Sequence, residues 1–207
     1  MIGDAVLAIW AATHADPALR RQTCLAALDI ASAAQQFNGD PGTTRLPTSI
    51  GLHCGHMLLG SVGAVAHYEY RAVGDIVITA TRLQGLNKYL GTRILVSEEG
   101  LSHVEGFLTR ELGEFLLVGK SKPLVVHELL CRLGDANSQQ RGVCADFAEA
   151  LAAYRGQRWG EAIERFEECI AHYEGDGSSL FYKRLSEQYC EAPPEDAWDG
   201  IVRLTQK

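Results

Sequence analysis

No run of about 18 apolar residues occurs anywhere in the 207-residue chain, so the sequence offers no membrane-spanning helix. Its first residues lack a basic stretch followed by an apolar one and a small-residue cleavage site, which excludes a recognisable signal peptide. The six cysteines, at 24, 54, 131, 144, 169 and 190, never fall three positions apart in a CxxC pair. That spacing excludes the usual zinc ribbon and a disulfide framework, and reads as reduced thiols of a cytoplasmic protein. Positive charge is also in short supply: 19 Lys and Arg against 26 Asp and Glu give a formal net charge of −7. The chain therefore has no basic footprint for nucleic acid or an anionic membrane. A hydrophobic share of 46% with 22% charged residues excludes disorder and fits a globular domain with a smaller module attached.

The elements that are present start abruptly. Gly3-Asp4 is a hairpin-turn pair, and the apolar run over 5–10 reads as the strand after it. A hairpin needs a first strand, so the sequence implies a preceding piece N-terminal to Met1. Thr13 or Asp16 can cap a helix with Pro17 in its first turn, and Asn38-Gly39 stops it. Two strands over 46–54 and 56–62 are predicted to form a second hairpin around Gly55. The histidines His53, His56 and His67 have no companion Cys/His pair and read as ordinary strand residues.

The stretch 68–86, YEYRAVGDIVITATRLQGL, organises the chain. Aromatic and branched residues predict a strand ending at Val73. Glycine at 74 and aspartate at 75 predict a turn and a helix start, with Asp75 as the capping residue. Ile76, Val77, Ala80, Leu83 and Leu86 then fall near helical spacing, and Gly91 ends the helix. Ile78 and Arg82 are one turn apart on the same side. A strand that breaks into a helix carrying an arginine is a candidate anion site. Further on, the sequence predicts a strand over 92–97, a brief helix over 98–104, strands over 107–112 and 114–118 around Gly113, a turn over 119–123 and a closing strand over 124–131.

Mixed hairpins, strands and helices give an α+β class with helices on one face of the sheet. Residues 133–145 are polar and read as a linker. Residues 146–173 read as two helices around Gly156, and 178–189 as a third. The order Trp159, Ala162, Phe166 resembles one tetratricopeptide repeat. A single such unit buries only one of its faces, so it reads either as a packing appendage or as a protein-binding module. The predicted division is 1–132, 133–145 and 146–207.

The run IGDAVLAIW with YRAVGDIVITATR and GTRILVS resembles the catalytic domain of class III nucleotidyl cyclases, the adenylate and guanylate cyclases. The likeness covers about residues 2–130, the C-terminal two-thirds of such a domain. It implies a ferredoxin-like sheet, incomplete at its N-terminus, and conversion of a nucleoside triphosphate, ATP favoured, into a cyclic nucleotide and pyrophosphate. By this resemblance Asp4 is a ligand of Mg²⁺ or Mn²⁺, and Arg82 stabilises charge on the α-phosphate. Arg93 and Lys120 hold the triphosphate, and Arg71 occupies the base-selecting position. Ile78 stands where the family carries an asparagine that orients the ribose; isoleucine can neither donate nor accept a hydrogen bond. The family's first metal aspartate and its base-selecting lysine have no counterpart in the chain. The family pairs two domains head to tail, which implies a homodimer. Each site takes its metal aspartate and triphosphate-binding groups from one partner and the Arg82 helix from the other. YRAVGDI and the tail are similar to the bacterial cyclases that follow a CHASE2-type membrane sensor. The alternative reading is a cyclase-like module that dimerises or binds nucleotide without turnover, or an interaction protein acting through its helical tail.

Overall fold

A computed structural model describes residues 5–39, 44–64, 67–194 and 198–204. Helix α1 (Pro17–Gly39) begins where Asp16 Oδ1 accepts hydrogen bonds from the backbone N–H of Ala18 at 2.9 Å and Leu19 at 3.4 Å. This satisfies donors that the first helical turn leaves free. Asn38 closes the far end through its amide: Nδ2 donates to Leu46 O at 3.0 Å and Oδ1 accepts from Leu46 N at 2.7 Å. Residues 6–10, predicted as a strand, are not one. No described strand flanks this run to complete a ladder, and Val6, Leu7 and Ile9 are exposed.

Strand β1 (Ile50–Leu52) is short, and it is not the first arm of a hairpin. It pairs in parallel with β4, described below, at Ile50↔Ile94 to Leu52↔Val96. The hairpin is formed instead by β2 (Leu58–Ala64) and β3 (His67–Val73), which pair antiparallel from Leu58↔Val73 to Ala64↔His67 and make a separate two-stranded sheet. Helix α2 (Asp75–Leu90) follows and ends at Gly91, whose φ of 66° is the left-handed conformation a side chain would disfavour.

Strand β4 (Ile94–Ser97), helix α3 (Glu98–Leu101), β5 (Phe107–Leu116) and β6 (Leu124–Arg132) complete the sequence up to the tail. The two strands expected around Gly113 are one strand, bent by an irregularity in its pairing between Glu111 and Gly113. A 3₁₀ turn and helix α4 (Ser138–Arg155) occupy much of the segment read as a linker. Asn137 and Gln140 form a reciprocal capping box at the start of α4. Helices α5 (Trp159–His172) and α6 (Gly177–Glu191) follow, then a two-residue strand β7 (Val202–Arg203). The main sheet runs β1-β4-β6-β5-β7, so the tail supplies its outer strand.

Every residue of β4 is buried, because the sheet is covered on both faces. Alternation along the strand sends Leu95 one way and Ile94 and Val96 the other. Leu95 joins Leu83, Leu86 and Leu90 of α2 with Phe147, Tyr154 and Tyr182 of the tail helices. Ile94 and Val96 pack with Cys24 and Ala27 of α1. The expectation of helices on one face is thus corrected: α1 lies on one side, and α2 with α4–α6 on the other. Each fully buried leucine of α2 contributes about 1.5–3 kcal/mol.

The tail is bound into this core by polar contacts as well. Arg110 of β5, 5% exposed, pairs with Glu128 of β6 at 2.6 Å and with Asp176 before α6 at 2.8 Å. Its guanidinium also lies 4.7 Å from the Phe147 ring centre. Ser178 Oγ donates to Leu90 O at 3.1 Å, tying α6 to the C-terminal end of α2.

Candidate anion site at the start of helix α2

Helix α2 starts differently from the sequence expectation. The capping position is Gly74, with φ 154° and ψ 166°, a conformation reserved to glycine. Asp75 becomes the first helical residue, and its side chain does not cap. Its carboxylate Oδ1 instead forms an ion pair with Lys120 Nζ, which also reaches the carbonyl oxygen of Asp75 at 3.4 Å. The side-chain hydrogen bond from Lys120 holds the Asp75 carboxyl below the usual carboxylate range. The exposures are unequal: the Lys120 side chain is 12% exposed and that of Asp75 79%.

Lys120 is positioned by a tight turn in which its N–H donates to Leu117 O at 2.9 Å and Gly119 adopts φ 67°. Arg82, two turns into α2, lies against that glycine. A Cβ on Gly119 would stand 3.1 Å from Arg82 Nη2 and 3.4 Å from Nη1. Nη1 of Arg82 is buried and has no hydrogen-bond partner. The turn carrying Lys120 thus docks on the N-terminal half of α2: Lys120 pairs with the exposed Asp75 of the first turn, and Gly119 lies against the Arg82 guanidinium one to two turns further on. An unsatisfied buried guanidinium nitrogen is costly unless something completes it. A fork of N–H donors next to an ammonium suits a phosphate. Ile78, one turn before Arg82, is 49% exposed and presents an apolar side chain to solvent.

His53, just beyond β1, borders this group. Its Nδ1 lies 2.8 Å from Ser97 Oγ, the hydroxyl that caps α3 by accepting from Gly100 N at 3.3 Å. Burial pushes the imidazole pKa below its ordinary 6.5, with Lys120 acting in the same direction and Glu99 and Asp75 opposing. The sequence reading treated His53 as an ordinary strand residue; its contact with Ser97 depends on the β1–β4 pairing, which local pattern does not reveal. The Asp75–Lys120 pair is likewise invisible to local pattern, in which an aspartate after Gly74 reads as a cap.

Arg93 is not part of this cluster. It follows the Gly91 terminus at the opposite end of α2, and its Nη1 donates to Gln35 Oε1 at 2.6 Å. There it lines a cleft of about 440 Å³ with Lys88, Asn38, Thr48 and Ser49. Sixteen helical residues separate the two ends of α2 by about 24 Å. The resemblance grouped Lys120 with the metal aspartate, opposite the Arg82 helix; the geometry places Lys120 with Arg82 and leaves Arg93 apart. Arg71 lies on β3 opposite Gly60. Asp4 lies outside the described residues. Among the described residues, no cluster of three His, Cys, Asp or Glu could hold a metal ion.

Residues 1–129 match the family described as the adenylate and guanylate cyclase catalytic domain. The chain belongs to this family. Adenylate cyclase 1 of Rhizobium meliloti (strain 1021) is 33% identical over 147 residues, covering 69% of this chain and 22% of that protein. The adenylate cyclase of Anabaena cylindrica is 32% identical over 139 residues, covering 62% of this chain and 27% of that one. The chain thus spans about a quarter of the length of these curated relatives. Among solved structures, a bacterial light-regulated adenylyl cyclase aligns at 21% identity and a TM-score of 0.48, over 56% of this chain and 61% of that one. No helix among the described residues is long and apolar enough to cross a membrane. This cyclase domain is therefore an α+β sheet whose start-of-helix cluster falls within the family-matched residues.

Proposed function

We propose that the chain is a nucleotidyl cyclase catalytic domain that cyclises a nucleoside triphosphate, ATP in preference to GTP, with release of pyrophosphate for intracellular signalling. One observation carries the reading: the buried, unpartnered Nη1 of Arg82 lies against Gly119, the residue before Lys120, on the helix whose first residue pairs with that lysine. The names of the adenylate cyclase relatives support the ATP preference.

Phosphoryl chemistry depends mainly on positioning and on neutralising charge. In this reading Arg82 donates to the α-phosphate oxygens, where charge grows as the ribose 3′-oxygen attacks, and Lys120 holds the triphosphate. Arg82 is ready for that role because Gly119 leaves room for its guanidinium and no protein acceptor occupies Nη1. By the family resemblance, Arg71 is assigned to the base-selecting position and Arg93 to the triphosphate. Arg93 follows the far end of α2 and donates to Gln35 there, away from the turn that carries Lys120. With the family's pairing of two domains, this placement supports a head-to-tail homodimer as the active unit, in which Arg93 of one copy meets Arg82 and Lys120 of the other. Asp4 is the proposed holder of Mg²⁺ or Mn²⁺, which would supply charge neutralisation and activation of the attacking oxygen. The described residues offer no carboxylate cluster of their own for it, and no step above depends on one.

Ile78 favours a second reading, in which the domain binds nucleotide and dimerises without turnover, because the ribose loses its orienting hydrogen bond. Helices α4–α6 are assigned as a brace for α2 and the sheet, given the shared core and the outer strand β7. The test is a cyclic-nucleotide assay with ATP or GTP and Mn²⁺. Product from ATP that disappears in Arg82→Ala and Asp4→Ala supports the enzyme. Nucleotide binding without product supports the second reading, and product unaffected by Arg82→Ala overturns the assignment.

A further inference from the structure

We propose that Asp75 is an internal competitor of the substrate, a latch that holds Lys120 until a polyphosphate displaces it. The inference rests on the reading of Arg82 and Lys120 as a phosphate site. Lys120 is nearly buried, yet its anionic partner is an exposed carboxylate at the rim. That asymmetry matters: burying the ammonium requires a counter-charge, while Asp75 can turn to water at little cost. The Asp75 side chain satisfies no donor of α2, since the capping position is Gly74 and carries no side-chain cap. Its one side-chain hydrogen-bond partner is Lys120, and it sits on the same first turn that a bound phosphate would approach. A carboxylate and a phosphate oxygen compete for the same ammonium protons. In the latch, an incoming polyphosphate takes Lys120 from Asp75, and Asp75 swings outward. Asp75 sets the threshold for polyphosphate binding without touching the reacting atoms, and so acts as a positioning residue.

The test is calorimetric titration of the full chain with inorganic tripolyphosphate, in wild type, D75N, K120M, the D75N/K120M double variant and R82A. Asparagine keeps the size of the side chain and suits a first helical turn, and circular dichroism checks that each variant is folded. The latch predicts that D75N binds tripolyphosphate about threefold tighter than wild type, the scale of an exposed ion pair. It also predicts that the same substitution changes nothing in the K120M background. If D75N tightens binding equally in both backgrounds, the effect is general electrostatics and the latch is overturned. If D75N binds no tighter than wild type while K120M and R82A still weaken binding, the latch fails and the phosphate site stands. If K120M and R82A bind as wild type does, the site itself is wrong and the latch falls with it.

Discussion

Gly119 leaves the space that the Arg82 guanidinium occupies: a Cβ at position 119 would stand 3.1 Å from Nη2. The glycine is needed twice, because its φ of 67° also disfavours any side chain. Gly119→Ala should therefore cost about 1 kcal/mol of stability through the left-handed backbone. It should also reduce turnover, since the guanidinium tip must shift by a few tenths of an ångström to admit the methyl group. Complete loss of such a donor lowers kcat by about 10²-fold, which sets the upper limit of the effect. A thermal melt together with an initial-rate assay separates the two effects. Equal activity in Gly119→Ala would show that the guanidinium need not lie there.

Ile78 leads to the opposite kind of prediction. Its side chain is exposed beside Arg82 and offers no hydrogen bond. Ile78→Asn should raise turnover at least about tenfold, the equivalent of 1.4 kcal/mol in the barrier. The change removes an exposed apolar group, so stability should hardly alter. Single-turnover rates with ATP are the measurement. No gain in rate would mean that the ribose is oriented by other groups.

The brace between α6 and α2 is a backbone contact. A Cβ on Gly177 would meet Gly91 Cα and Leu90 O, both at 2.8 Å. Neither atom can swing aside as a flexible side chain would. Gly177→Ala should force the helices apart, lose the Ser178–Leu90 hydrogen bond and destabilise the protein by about 1–3 kcal/mol. Urea denaturation should show a lower midpoint with an unchanged slope. An unchanged midpoint would argue that the tail does not support α2.

The parts legible in the sequence are those set by local chemistry. The helix carrying Arg82 followed from its apolar spacing, and its end followed from Gly91. The start of α1 followed from Asp16 and Pro17. Pairing was not legible, because β1 is only three residues long and its partner β4 lies more than forty residues later. The strand expected over 5–10 had the right composition, but composition cannot supply a neighbouring strand. Asp75 looked like a cap because aspartate usually is one; the ammonium that claims it lies 45 residues away. The tail's union with the sheet was equally hidden. It depends on Phe147, Tyr154 and Tyr182 meeting Leu112 and Phe115 across the fold. Of the candidate site, the residue types Arg82 and Lys120 were recognised from motif likeness, while their adjacency came from the fold.

The central claim is that Arg82 and Lys120 of one copy are completed by Arg93 of another. Mixing two separately inactive variants, Arg82→Ala and Arg93→Ala, tests it most directly. Random exchange makes half of the dimers mixed, and a symmetric mixed dimer holds one intact site of two. The account predicts recovery of about a quarter of the wild-type rate of cyclic-nucleotide formation in the mixture. A mixture as inactive as either variant alone would contradict it.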